Sequence, residues 1–320
     1  MLSTNHSSNT FPAGAPVVYI PREQSVAEAE LPLPVVAQSV MAQSVVAPAI
    51  VKSPAKTQPT QPPAQLLPLL PLPTSRVWGI DYSAVNMKQT LQFIDELIAR
   101  RVPTTVITSN LNYAMLNTQH PKLEKFTHKC PLVICDGMPI FWRSKLNETK
   151  LPERIAGADL IFELAAHSAK KGYRIFLMGG AEGVALRAAK RLEELYPDLK
   201  IAGVECPPFR PLSDVEHKQL LSRIREAKAD ILLVAFGQPK GEFWIDDNME
   251  KLDVPVSIQL GASFDFIVGS AKRAPVWIQK MGFEWLYRTY HDPKRLVPRY
   301  AKNAWFLLKS IRRDLLDATN

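Results

Sequence analysis

The chain is poor in the residues that most directly announce a chemistry. It has three cysteines, Cys130, Cys135 and Cys206, with no Cys-x-x-Cys pair and one left odd. That argues against a disulfide scaffold and fits a reduced, cytoplasmic setting. No Asp-x-Asp occurs, so a metal–nucleotide clamp of that kind is not expected. The histidines, His6, His120, His128, His167, His217 and His291, show no zinc spacing. No metal and no cofactor is therefore expected. There is also no Gly-x-Ser-x-Gly elbow and no P-loop. The N-terminus, beginning Met-Leu-Ser-Thr-Asn-His, lacks the basic and apolar regions of a secretory signal. The uncharged stretch 31–51 contains Pro32, Pro34 and Pro48 and repeated Gln-Ser pairs, which argues against a membrane span.

What the chain does hold is unevenly distributed. Residues 1–75 carry 13 of the 27 prolines and no sustained amphipathic period. Such a tail buries too little apolar surface to offset its ordering entropy, so it is expected to stay disordered. The net charge is +8, and residues 271–320, with eleven Lys/Arg against four Asp/Glu, supply +7 of it. Trp277, Phe283, Trp285, Tyr290, Trp305 and Phe306 are interleaved with those cations. Aromatic rings among cations suit an anionic membrane surface, although a helical hairpin with solvated charges would look the same.

Between these ends, short apolar runs alternate with helical periods. Strands are expected at 77–80, 104–108, 132–135, 174–178, 201–204, 230–235 and 254–260. Helices are expected at 86–101, 157–171, 213–227 and 241–252, with another running through Leu195. That order implies βαβ units: an α/β, Rossmann-like, mostly parallel sheet covered by helices on both faces. The expected division is a tail over 1–75, a core over 76–270 and a basic, aromatic-rich helical appendage over 271–320.

Polar residues punctuate the expected strand ends, where ligands of open α/β sheets sit. Asp136-Gly137 follows the run Leu132–Cys135. Asp136 reads either as a turn former or as a carboxylate facing substrate. Gly179-Gly180-Ala-Glu-Gly183 lies between a strand and a helix, where it suits a phosphate or an ordinary tight turn. Glu205, ending the next strand, would allow a ribose contact and so a nicotinamide-dependent oxidoreductase. Gln238 sits in Phe236-Gly-Gln-Pro, and Arg154 precedes a helix, where it can pair an acid or grip a phosphate. A basic module binding nucleic acid is a further reading, but it would leave these strand-end polar groups unused.

Taken together, the blocks resemble the WecG/TagA/CpsF glycosyltransferase family over about residues 76–300. They are Thr108-Ser-Asn110, Asp136-Gly137, Arg154-x-x-Gly157-x-Asp159, Gly179-Gly180, Phe236-Gly-Gln238-Pro, Gly261-Ala-Ser-Phe-Asp265, and Arg273-Ala-Pro275 followed by Gly282-Phe-Glu-Trp-Leu-Tyr-Arg288. The resemblance implies inverting, metal-independent transfer of a sugar, usually from a UDP-sugar, onto a polyprenyl-diphosphate-linked saccharide. It implies a role in cell-surface polysaccharide synthesis, on the inner face of the cell membrane, with no nucleic-acid partner. By motif, Asp136 would be the base. Thr108, Asn110, Gly179 and Gly180 would help bind substrate, and Arg154 and Gln238 would hold acceptor or donor diphosphate. Arg288, Arg295 and Arg299 would reach phosphate from the basic segment. The long N-terminal tail has no counterpart in that pattern.

Overall fold

The first element of the described residues is a hairpin rather than the single strand expected over 77–80. β1 (Thr74–Val77) and β2 (Ile80–Ser83) pair antiparallel, with Val77 opposite Ile80. The two residues between them, Trp78 and Gly79, both have positive φ, 47° and 86°. Two central residues of that kind turn a chain back within two positions, and glycine takes the second at little cost. The apolar run is real, but its middle is the turn. The computed structural model describes residues 69–317. The expected tail therefore lies almost wholly outside the described residues.

After the hairpin come α1 (Met87–Arg100), β3 (Thr104–Ser109), α2 (Leu111–Gln119), α3 (Pro121–Lys129), β4 (Leu132–Cys135), α4 (Met138–Ser144) and α5 (Gly157–Lys171). They are followed by β5 (Arg174–Gly179), α6 (Val184–Leu195), β6 (Lys200–Glu205), α7 (Asp214–Glu226), β7 (Ile231–Ala235), α8 (Lys240–Leu252) and β8 (Val256–Gln259). The chain ends in α9 (Ser263–Ile267), α10 (Val276–Lys280), α11 (Glu284–His291) and α12 (Pro293–Asp317). Local chemistry explains several boundaries. Asn86 caps α1 and Ser213 caps α7, each in a reciprocal box with the residue three positions on. Pro121 starts α3 at the position where a missing N–H costs nothing.

Six strands form one parallel sheet in the order β4-β3-β8-β7-β5-β6. β4, β8 and the first four residues of β7 are wholly buried, as their near-continuous apolar runs require for a sheet covered on both sides. Helices α1, α5, α6 and α9 pack together in one layer, and α2, α3, α7, α8 and α12 in the other. The carboxyl ends of the parallel strands share one edge, as right-handed crossovers dictate.

The four C-terminal helices join this unit rather than standing off from it. α12 packs along α2 and buries Leu296, Asn303 and Ser310. Near its end Asp314 accepts hydrogen bonds from Trp78 Nε1 at 3.1 Å and Arg143 Nε at 2.7 Å, while Phe306 meets the Trp78 ring edge-on.

Candidate active site

A cavity of about 770 Å³ opens over the carboxyl edge of the sheet. One wall comes from strand ends and the turns after them; the other comes from the loop before α10 and from α11 and α12. Thr108, Asn110, Asp136, Arg154, Gly180, Gln238, Arg288, Arg295 and Arg299 all line it, and Gly179 flanks Gly180. The residues singled out from sequence thus converge from separate strands, loops and helices onto one space.

Asp136 follows β4 directly. Its backbone N–H donates to Ser109 O at 2.9 Å, which ties the turn to the end of β3. Its side chain is about a quarter exposed, and Oδ1 lies 4.0 Å from Arg154 Nη1. Burial pushes this carboxyl up to about 6. Arg154 opposes that rise, and the carboxylate of Glu284, brought in by α11, adds to it. A carboxyl poised there is ionised for most molecules at neutral pH yet basic enough to accept a proton.

The neighbours have defined duties. Thr108 Oγ1 donates to Gln259 O at 3.0 Å, keeping its lone pairs for another donor. Asn110 caps α2, its Oδ1 accepting from Tyr113 N at 3.1 Å, so the Nδ2 end remains for a ligand. Gln238 Oε1 accepts from Asn112 Nδ2 at 3.1 Å. At the other end of the crevice Gly179 has φ 99°, and a Cβ there would come 2.7 Å from the Phe236 ring. Only glycine lets β5 turn against β7 at that point, with Gly180 N–H donating to Ala235 O at 2.9 Å.

The opposite wall is cationic. Arg299 is half-buried, and its Nε has no hydrogen-bond partner among the described residues. Burial works against its charge and lowers its pKa, so an anion is the ligand that would compensate it. Arg288 stacks over Phe266, with 5.1 Å from Cζ to the ring centroid. Arg295 pairs with Asp292 at 2.7 Å on the rim.

Several lining residues carried no role in the sequence reading. Arg273 bridges Asp159 on α5, Gln279 on α10 and Glu284 on α11, which explains why blocks so far apart in the chain belong together. Gln259 was hidden in an apolar run, where its polarity at a buried strand end was the available signal. Glu205, the proposed ribose contact, is 2% exposed and held by Arg223, so it is committed inside the protein. No three His, Cys, Asp or Glu side chains among the described residues are grouped to hold a metal ion.

The family profile described as "Glycosyl transferase WecG/TagA/CpsF family" matches residues 75–319. The chain belongs to this glycosyltransferase family. Its curated relatives include N-acetylglucosaminyldiphosphoundecaprenol N-acetyl-beta-D-mannosaminyltransferases from three bacteria. The Bacillus subtilis (strain 168) protein is 30% identical over 237 residues, covering 71% of this chain and 90% of the relative. Those of Bacillus spizizenii, at 28% over 61% and 76%, and Staphylococcus aureus (strain MW2), at 26% over 69% and 85%, are similar. This glycosyltransferase therefore shares with each of them well over half of its own length.

Proposed function

We propose that this glycosyltransferase moves a sugar from UDP onto a polyprenyl-diphosphate-linked saccharide, with inversion and without a metal ion, during assembly of a cell-surface polysaccharide. The observation that carries the reading is Asp136, a carboxyl pushed up to about 6, in a cavity whose facing wall is arginine. In this reading Asp136 takes the proton of the acceptor hydroxyl as its oxygen forms a bond to the anomeric carbon. The bond from that carbon to the UDP oxygen breaks on the opposite face. Negative charge then grows on the diphosphate and is met by Arg288, Arg295 and Arg299, with Arg154 also within the cavity. Thr108, Asn110 and Gln238 orient the sugars, and the Gly179-Gly180 turn leaves room for the nucleotide. By similarity to the named relatives, the first donor to test carries N-acetylmannosamine and the first acceptor is N-acetylglucosaminyl-diphospho-polyprenol.

The lipid-linked acceptor implies work at a membrane, on its cytoplasmic side. No helix of the described residues is long and apolar enough to cross one. Instead, α10 to α12 expose Trp277, Trp285, Tyr290, Trp305 and Leu308 among their cations, at 45 to 84% exposure. Rings and cations together on one arm support docking on an anionic lipid surface.

The deciding experiment is product analysis by mass spectrometry, with a panel of UDP-sugars and a short-chain N-acetylglucosaminyl-diphospho-polyprenol, with and without EDTA. A disaccharide product with one donor, unaffected by EDTA, is expected. No product from any donor, or loss of product in EDTA that Mg²⁺ restores, would refute the reading in whole or in its metal independence.

A further inference from the structure

The floor of the cavity differs from its rim in carrying carboxamides instead of guanidiniums. Asn112, in the first turn of α2, is bonded to Gln238 in the loop before α8. Gln259 ends β8, the strand between β3 and β7, and so lies between the starts of the helices that follow those two strands. Its register neighbours are Ile107 on β3 and Val234 on β7.

The Gln259 side chain is 4% exposed and in the cavity wall. Neither its Oε1 nor its Nε2 has a hydrogen-bond partner among the described residues. A primary carboxamide buried in that way is unfavourable for the folded chain on its own. The chain nevertheless makes room for it. A Cβ at residue 241 would stand 2.5 Å from Gln259 Cδ and 2.8 Å from each of its polar atoms. Gly241 does not have a left-handed φ, so no turn demands glycine there. What the missing side chain provides is space for the amide.

The surroundings are also short of charge. Glu242, the next residue of α8, does not line the cavity, and burial pushes its carboxyl up to about 8. The cations of the wall stand on other elements: Arg154 before α5, Arg273 before α10, and the three arginines on α11 and α12. A phosphate belongs with those cations. An uncharged amide with free donors and a free acceptor fits hydroxyl and amide groups instead. β8 is two strands from β4, about 10 Å at ordinary strand spacing. A hexose attacked beside Asp136 would cover that distance with its ring and an outstretched substituent together.

Resting on the reading of this cavity as a sugar-transfer site, we propose that Gln259 is a specificity-determining residue that hydrogen-bonds a neutral polar substituent, hydroxyl or acetamido, of the transferred sugar. The amide left unmatched in the folded chain then finds its partner in the substrate. A donor lacking that substituent leaves it unpaired and is rejected.

The test uses the full chain and two variants, Gln259→Leu and Gly241→Ala. The first keeps volume and removes both polar ends. The second alters no cavity-lining residue but pushes the carboxamide aside. For each, kcat/KM is measured with UDP-N-acetylmannosamine, UDP-N-acetylglucosamine and their 2-hydroxy counterparts, alongside calorimetric affinity for UDP and a thermal melt. Both variants are expected to lose about tenfold or more of the discrimination between the preferred donor and its poorest analogue. UDP affinity should hold, and Gln259→Leu should melt no lower than wild type. Collapse of the acetamido-against-hydroxyl ratio identifies the acetamido group. Collapse only between the epimers at C2, with that ratio kept, identifies a contact that reads the configuration at C2. Unchanged discrimination in Gln259→Leu, or an equal loss for every donor together with weaker UDP binding, would overturn the proposal. Wild-type protein transferring no sugar at all would instead refute the sugar-transfer reading beneath it.

Discussion

The two walls of the cavity are built by opposite strategies. The sheet edge holds Thr108 and Gln259 on buried strands, and Asp136 directly after one, in a turn tied to β3. The arm formed by α10 to α12 has only Leu296, Asn303 and Ser310 buried, and long runs of exposed aromatic and aliphatic side chains. Chemistry that needs fixed geometry belongs on the first wall, and chemistry that meets a large, variable, anionic partner belongs on the second. The contrast implies that changes at the edge should act on the bond-making step, while changes on the arm should act on the meeting with phosphate and lipid.

The largest effect expected is at the edge. Asp136→Asn should keep the fold, because the turn is held by the backbone bond to Ser109. It should lower kcat by about 100-fold or more, the usual consequence of losing a general base. Steady-state kinetics beside a circular dichroism spectrum would show it. Near-normal turnover would remove Asp136 from that role.

On the arm, Arg299→Ala should raise KM for the donor or the acceptor and cost about tenfold in kcat/KM, since it deletes a charge-assisted contact without touching the base. A loss confined to kcat, with KM constant, would mean that Arg299 meets only the charge that grows on the diphosphate and not the bound substrate, and would weaken the division between walls. Farther out, Lys309, Arg312 and Arg313 are exposed. Reversing all three should weaken sedimentation with anionic vesicles severalfold per charge at low salt, less at high salt, and leave turnover on a short, soluble acceptor unchanged. Equal binding of wild type to neutral and anionic vesicles would argue against an electrostatic arm.

The edge was far more legible in the sequence than the arm. Strands β3, β4, β5 and β7 announced themselves because a parallel sheet covered on both faces leaves unbroken apolar runs, and each run ends at or beside a residue that lines the cavity. The hairpin was missed because Val77 to Ile80 has strand-like composition, and only the positive φ values at Trp78 and Gly79 break it. Gln259 was missed for the opposite reason: one amide in a good apolar run does not alter the strand reading, and its unusual feature, lack of a partner, exists only in three dimensions. The charge and aromatics of the arm were plain, but not that Asp314 ties its far end to Trp78 and Arg143. Such long-range pairs leave no local pattern.

The smallest expected effect crosses from one wall to the other. Glu284 stands on the arm yet raises the pKa of Asp136 through its charge, while also facing Arg273 at 3.5 Å. As the proposed base, Asp136 would work only when ionised, so kcat/KM should rise with pH through about 6 and level off above it. Replacing Glu284 by Gln removes a neighbouring negative charge. Ionising Asp136 then becomes easier, its pKa falls, and the acid limb of the profile should move modestly to lower pH, since burial and not Glu284 is the main cause of the rise. The plateau should change much less, because the base itself is intact. Glu284→Gln also releases part of the restraint on Arg273, but Asp159 and Gln279 still hold that guanidinium. A profile measured from pH 4.5 to 8.5 on a soluble acceptor separates the outcomes. A limb shifted downward means that the arm sets the working pH of the edge when it is docked. An unmoved limb with a lower plateau would mean that Glu284 serves only to hold Arg273, and the two walls would then be coupled by packing rather than by charge.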